Sequence, residues 1–142
     1  MEVSLVRNRL KRAMDAARER AHQRRQQAAD ADRAYAAFLE NVATPVTRQL
    51  ANVLKAEGYA FTVFAPEGGL RLASERGRND YIEFALDTTS SPPVVVGRIS
   101  RSRGSRTLDE ERPLKAGASP ETLTEEDVLI FLLDALEPWL ER

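Results

Sequence analysis

Hydrophobic and polar positions along this chain change period once, near Tyr59. Before that point apolar residues recur at helical spacing. Val3, Leu10, Ala17, Ala31 and Phe38 fall seven or fourteen apart, interleaved with Met14, Ala21, Ala28, Tyr35 and Val42. One coiled-coil-like stripe thus runs down a helix predicted over about residues 2–42, interrupted where Arg7 and Arg24 fall on seam positions. Ala, Arg, Gln, Glu and Leu dominate this segment, and all of them enter helices at little cost. Such a helix is about 60 Å long, more than a globular remainder of this size can cover. Thr44-Pro45 reads as an N-cap followed by proline at the first helical position, starting a second helix over 45–57. Val46, Leu50, Val53 and Leu54 would form its apolar face and Gly58 its C-cap. The alternative is one helix kinked at Pro45, because proline leaves the carbonyl of Asn41 without a donor.

After Tyr59 the period is two. Phe61 and Val63, then Leu70 and Leu72, then Ile82, Phe84 and Leu86, then Val95 and Ile99 alternate with smaller or polar residues. Turn-forming residues separate these runs at 66–69, 76–80, 90–93 and 103–105. Connections this short join antiparallel neighbours, which predicts a meander of four or five strands. The last strand, over 106–113, offers only Leu108 and the flanking Leu114 as large apolar residues and is expected at an edge. Thr124 then caps a helix over 125–141, with Glu125, Glu126 and Asp127 in its first turn and Leu123 and Val128 placed as a hydrophobic staple. Its apolar face is read as Val128, Leu129, Leu132, Leu133, Leu136, Trp139 and Leu140, widened by Phe131 and loosened in the last turn by Pro138. The fold class is therefore α+β, with the C-terminal helix packed on the sheet. Residues 1–43 are expected to form a helical arm for oligomerisation or partner binding, and 44–142 the globular domain.

Composition narrows the chemistry. The 142 residues hold no Cys and one His, which removes disulfides, thiolate nucleophiles and thiolate or multi-His metal sites within one chain. His22 has only Glu19 nearby as a carboxylate and reads as a surface residue. Neither Asp109, Glu110 and Glu111 nor Asp80 with Asp87 has the spacing of a cation-binding loop. No cofactor, metal or catalytic residue is expected. The first residues lack the apolar run of a signal peptide, and no window approaches a membrane span, so a cytoplasmic protein without membrane contact is expected.

Charge changes the picture more. The net charge is −1, but residues 98–106 carry four basic and no acidic side chains, and 107–142 carry three basic and ten acidic. The first 25 residues hold eight basic side chains against three acidic. Arg24 and Arg25 on the helix, and Arg98, Arg101, Arg103 and Arg106 around a predicted hairpin turn, are candidate nucleic-acid or anion contacts, with Arg71, Arg76 and Arg78 as possible neighbours. The competing expectation is cross-strand pairing of the hairpin arginines with Asp109, Glu110 and Glu111.

The element order, a long N-terminal helix, an antiparallel meander and a C-terminal helix, resembles in outline small dimeric bacterial nucleoid-associated proteins, without a shared motif. Two functions are expected from these features. The first is a non-catalytic module that associates as a homo-oligomer, a dimer, through a coiled coil of the N-terminal helix, or captures another protein with it. Leu10, Met14, Tyr35, Phe38 and Val42 are then its interface, and an antiparallel pair avoids stacking Arg24 on Arg24. The alternative is a nucleic-acid-binding protein using the basic helix and the arginine hairpin.

Overall fold

The computed structural model describes residues 1–77 and 79–141. The fold is α+β. A helix running from Val3 to Ala56 has three parts: α1 (Val3–Phe38), one π turn (Leu39–Ala43) and α2 (Thr44–Ala56). Thr44 has φ −63° and ψ −48°, so it lies inside the helix, and the N-cap expected there is corrected in favour of one continuous helix. Pro45 supplies the reason. It has no N–H for the Asn41 carbonyl, and its ring needs that carbonyl moved aside. The π turn does this by widening the helix, with the Thr44 N–H donating to the Leu39 carbonyl five residues back.

The same turn corrects the phase of the buried face. The inward positions Tyr35, Leu39, Ala43, Thr47 and Ala51 recur every four residues. In a uniform α-helix this series drifts by about 40° per step, or about 160° from Tyr35 to Ala51, and the one extra residue of a π turn takes back about 100°. Both halves of the helix can therefore face one sheet.

That sheet is a five-stranded antiparallel meander in chain order: β1 (Phe61–Phe64), β2 (Leu70–Ser74), β3 (Tyr81–Asp87), β4 (Val94–Arg103) and β5 (Arg106–Pro113). Alternation puts Phe61, Leu70, Leu72, Ile82, Phe84, Val95 and Ile99 on one face, where all are buried. The edge strand β5 is exposed apart from half-buried Arg112, as its composition predicts. The helix α3 (Glu125–Leu140) begins in a capping box: the Thr124 hydroxyl accepts from the Asp127 N–H, and the Asp127 carboxylate accepts from the Thr124 N–H at 3.0 Å. Leu123 and Val128 are both buried, as the staple requires.

The helix α3 buries Val128, Phe131, Leu132, Ala135, Leu136 and Trp139. Leu129, Leu133 and Leu140 are exposed, which corrects the broader face expected. A helix lying on a sheet buries one sector of its circumference, and the eight apolar positions span more than that sector. Gly97, opposite Phe84 in register, lets α3 approach, since the Phe131 ring lies where a Cβ at position 97 would stand.

The core reaches back along the first helix to Tyr35. A division at residue 43 thus falls at the end of the π turn, inside one continuous helix. Residues Gln27, Asp30, Ala31 and Ala34 lie against Pro92, Pro93 and the segment 119–121, and residues 3–26 extend beyond the body as an exposed rod.

Candidate interaction site

The five residues expected at a helix interface divide between two environments. Tyr35 and Phe38 are buried in the chain's own core, with ring centroids 6.3 Å apart, and Phe38 meets Phe84 edge-on at 6.5 Å. Burial, and then the negative charge of Glu83, push the Tyr35 phenol above its ordinary range. Val42 is half-buried against the same cluster. Leu10 and Met14 remain available, 57% and 41% exposed, and Val3 and Val6 extend their stripe toward the tip.

Charge is arranged around this stripe. At about 100° per residue, Val3, Val6, Leu10 and Met14 share a narrow sector of the arm, with Arg7, Lys11 and Arg18 along one flank and Arg9 and Arg20 along the other. Asp15 and Glu19 fall on the opposite side. The apolar strip is thus bordered by cations.

The arginine hairpin is only partly neutralised. Register pairs Arg98 with Glu111, and their side chains meet at 3.1 Å, next to an equivalent Arg71–Glu83 pair at 3.2 Å on the same open face of the sheet. Asp109 faces Ser100 and Glu110 faces Ile99, so the other expected pairings do not form. Glu110 instead lies 3.6 Å from Arg112, which reaches Asp134 of α3 at 2.7 Å. Arg101 stands opposite Leu108, and Arg103 opposite Arg106 across a tight turn whose Gly104 has φ 63°. Among the described residues Arg101, Arg103 and Arg106 have no ion-pair partner. Arg101 and Arg103 border a groove of about 580 Å³ whose far wall carries Asp134, Glu137 and Glu141. Arg78 lies outside the described residues.

The two basic segments are not brought together. The arm leaves the body beside Pro92 and Pro93, at the β3–β4 end of the sheet, whereas the arginine turn closes the other end of β4. A ten-residue strand separates those ends by about 30 Å. Arg24 and Arg25, near the root of the arm, therefore occupy a different end of the molecule from Arg101, Arg103 and Arg106.

Asp80 and Asp87 hold local structure. Asp80 and Asp87 stand at opposite ends of β3; Asp80 is buried and accepts the Ser102 N–H at 2.5 Å. Asp87 accepts from the Thr89 hydroxyl and backbone N–H and from Ser90, which hold its carboxyl below the usual range. Among the described residues no three His, Cys, Asp or Glu side chains gather as a metal site, and no helix is long and apolar enough to cross a membrane.

A second apolar surface lies where the sequence predicts core. Val46, Leu50 and Val53 of α2 and Leu129 of α3 form the apolar floor of a groove of about 500 Å³ rimmed by Gln49, Glu125 and Glu126. Val53 is 54% exposed, and Ile130, 59% exposed, continues the apolar surface over the crown of α3 with Leu133. The available signal was the width of α3's apolar arc, too wide for one buried sector. Comparison with protein-family models, curated proteins and solved structures finds no match to this chain.

Proposed function

We propose that the chain is a non-catalytic, self-associating protein-interaction module whose N-terminal helix is the contact element. The observation that carries this reading is the exposed stripe Val3, Val6, Leu10 and Met14 on a rod that leaves its own domain. Most helical stability in proteins comes from packing of an amphipathic face, and the stripe on this rod is uncovered within its own chain. The buried anchor at Tyr35 and Phe38 supports the reading, because it fixes the direction in which the arm projects. Sedimentation of the full chain tests it. The wild type should run as a dimer and the double variant Leu10→Glu/Met14→Glu as a folded monomer; a monomeric wild type at all accessible concentrations overturns the reading.

The unpaired Arg101, Arg103 and Arg106 favour a second reading, binding of nucleic acid or another polyanion at the hairpin end. Affinity would then fall steeply with salt, and charge reversal at Arg101 and Arg103 would weaken binding across all sequences and flatten that slope. Absence of a gel shift at low salt removes this reading.

A further inference from the structure

We infer that the groove between α2 and α3 is the seat for the arm of a second copy, so that two chains exchange arms. This rests on the self-association proposed above and names the surface that receives the helix.

Complementarity of charge supports the pairing. The helix α3 carries no basic residue, and two of its acids, Glu125 and Glu126, stand at this groove. The cations of α2, Arg48 and Lys55, fall on the side of that helix away from Val53. The groove is therefore an apolar floor with an acidic rim. The arm presents its inverse: an apolar stripe with Arg7, Lys11 and Arg18 on one flank and Arg9 and Arg20 on the other, its Asp15 and Glu19 turned away. Shape agrees as well, since a helix ridge at i, i+3/4 spacing fits between two neighbouring helices.

The chain's own arm cannot be the occupant. Residues 3–38 form one unbroken α-helix with no glycine or proline, continuous with α2 through the π turn, so the arm cannot fold back across the helix it extends. Its exposed part spans about 36 Å, enough to carry the tip over a neighbouring body. If each copy lends an arm and receives one, the contact is isologous and closes as a two-fold dimer with two identical seats.

The absence of cysteine makes the test clean. Full-length Leu10→Cys and Val53→Cys chains are prepared separately, mixed and oxidised. The mixture should give a crosslinked heterodimer, and neither variant alone should crosslink readily. Self-crosslinking of Leu10→Cys without crosslinking to Val53→Cys would place arm beside arm and overturn the inference while leaving self-association intact. A second measurement uses no disulfide: in sedimentation, Val53→Glu/Leu129→Glu should weaken dimerisation by roughly tenfold or more with helical circular dichroism unchanged. Mixing it with Leu10→Glu/Met14→Glu should restore a heterodimer, because one intact arm then meets one intact groove. Full-strength dimerisation of the groove variant overturns the inference; a monomeric wild type overturns the function on which it rests.

Discussion

Residues 3–26 and residues 35–56 belong to one helix and both carry apolar positions at helical spacing, but only the second stretch is packed into the core, with Val53 left at its open edge. In the body segment Tyr35, Phe38, Ala43, Val46 and Leu54 are buried against strands and α3. In the arm Val3, Val6, Leu10 and Met14 face solvent. The difference is not one of periodicity. It lies in where the sheet ends, because a stripe is stabilising only where another surface removes it from water. The body segment is held by tertiary packing, and the arm's stripe is left in water.

Deletion breaks this comparison most severely. Removing residues 1–26 should leave a cooperative urea transition, because the core starts at Tyr35. Removing residues 1–43 should abolish that transition, since Tyr35, Phe38 and Ala43 go with it. If the shorter chain unfolds cooperatively, the first helix contributes less to the core than its burial implies.

Single truncations sharpen the contrast. Phe38→Ala, at 3% exposure, should cost about 3–5 kcal/mol in chemical denaturation. Leu10→Ala, measured on dilute monomer, should stay within about 0.5 kcal/mol of the wild type. Similar costs at the two positions would mean that the arm is covered within its own chain.

The capping box lies entirely in the body and has a smaller effect. Thr124→Ala should cost about 1 kcal/mol, read by denaturation at neutral pH. The Asp127 carboxyl lies below its usual range, first through the Thr124 backbone N–H, with Lys115 adding to it at 3.6 Å. A lowered folded value means that the unfolded chain binds the proton more readily, so this contribution is present above the ordinary carboxylate range and is lost as pH falls through the folded value. Asp127→Asn, which removes the titrating carboxyl, should therefore flatten the acid limb of the stability curve.

The smallest effect tests the join between the two regions. Deleting exposed Glu40 together with Pro45→Ala should convert the π turn to α and keep both flanks in phase, because the turn holds one residue beyond an α-helix. Retained cooperative unfolding within about 1 kcal/mol of the Pro45→Ala parent is expected. Complete loss of folding would show that the turn does more than accommodate Pro45 and set phase.

Much of this architecture was legible in the residues. The switch of period at Tyr59, the turn clusters, the Thr124 box and the weak β5 each carry a local signal that nothing distant overrides. Thr44-Pro45 was legible only in part, since the pair suits both a helix start and a bulge within one. The spacing of four through Tyr35, Leu39, Ala43, Thr47 and Ala51 favours the bulge, because a regular α-helix would carry these positions off one face. The candidate interface was half legible: the stripe marks Leu10 and Phe38 alike, and only burial separates them.

By itself the sequence determined the elements, their order, the caps and turns, and the segregation of cations to the arm and hairpin and of acids to the C-terminal third. Those follow from backbone preferences and side-chain spacing, which act over a few residues. Tertiary structure chose between the two readings of Thr44-Pro45, and it alone decided that Leu129 and Leu133 stay outside and that register leaves Arg101 opposite Leu108. Each of these depends on two surfaces meeting, and a local pattern describes only one of them.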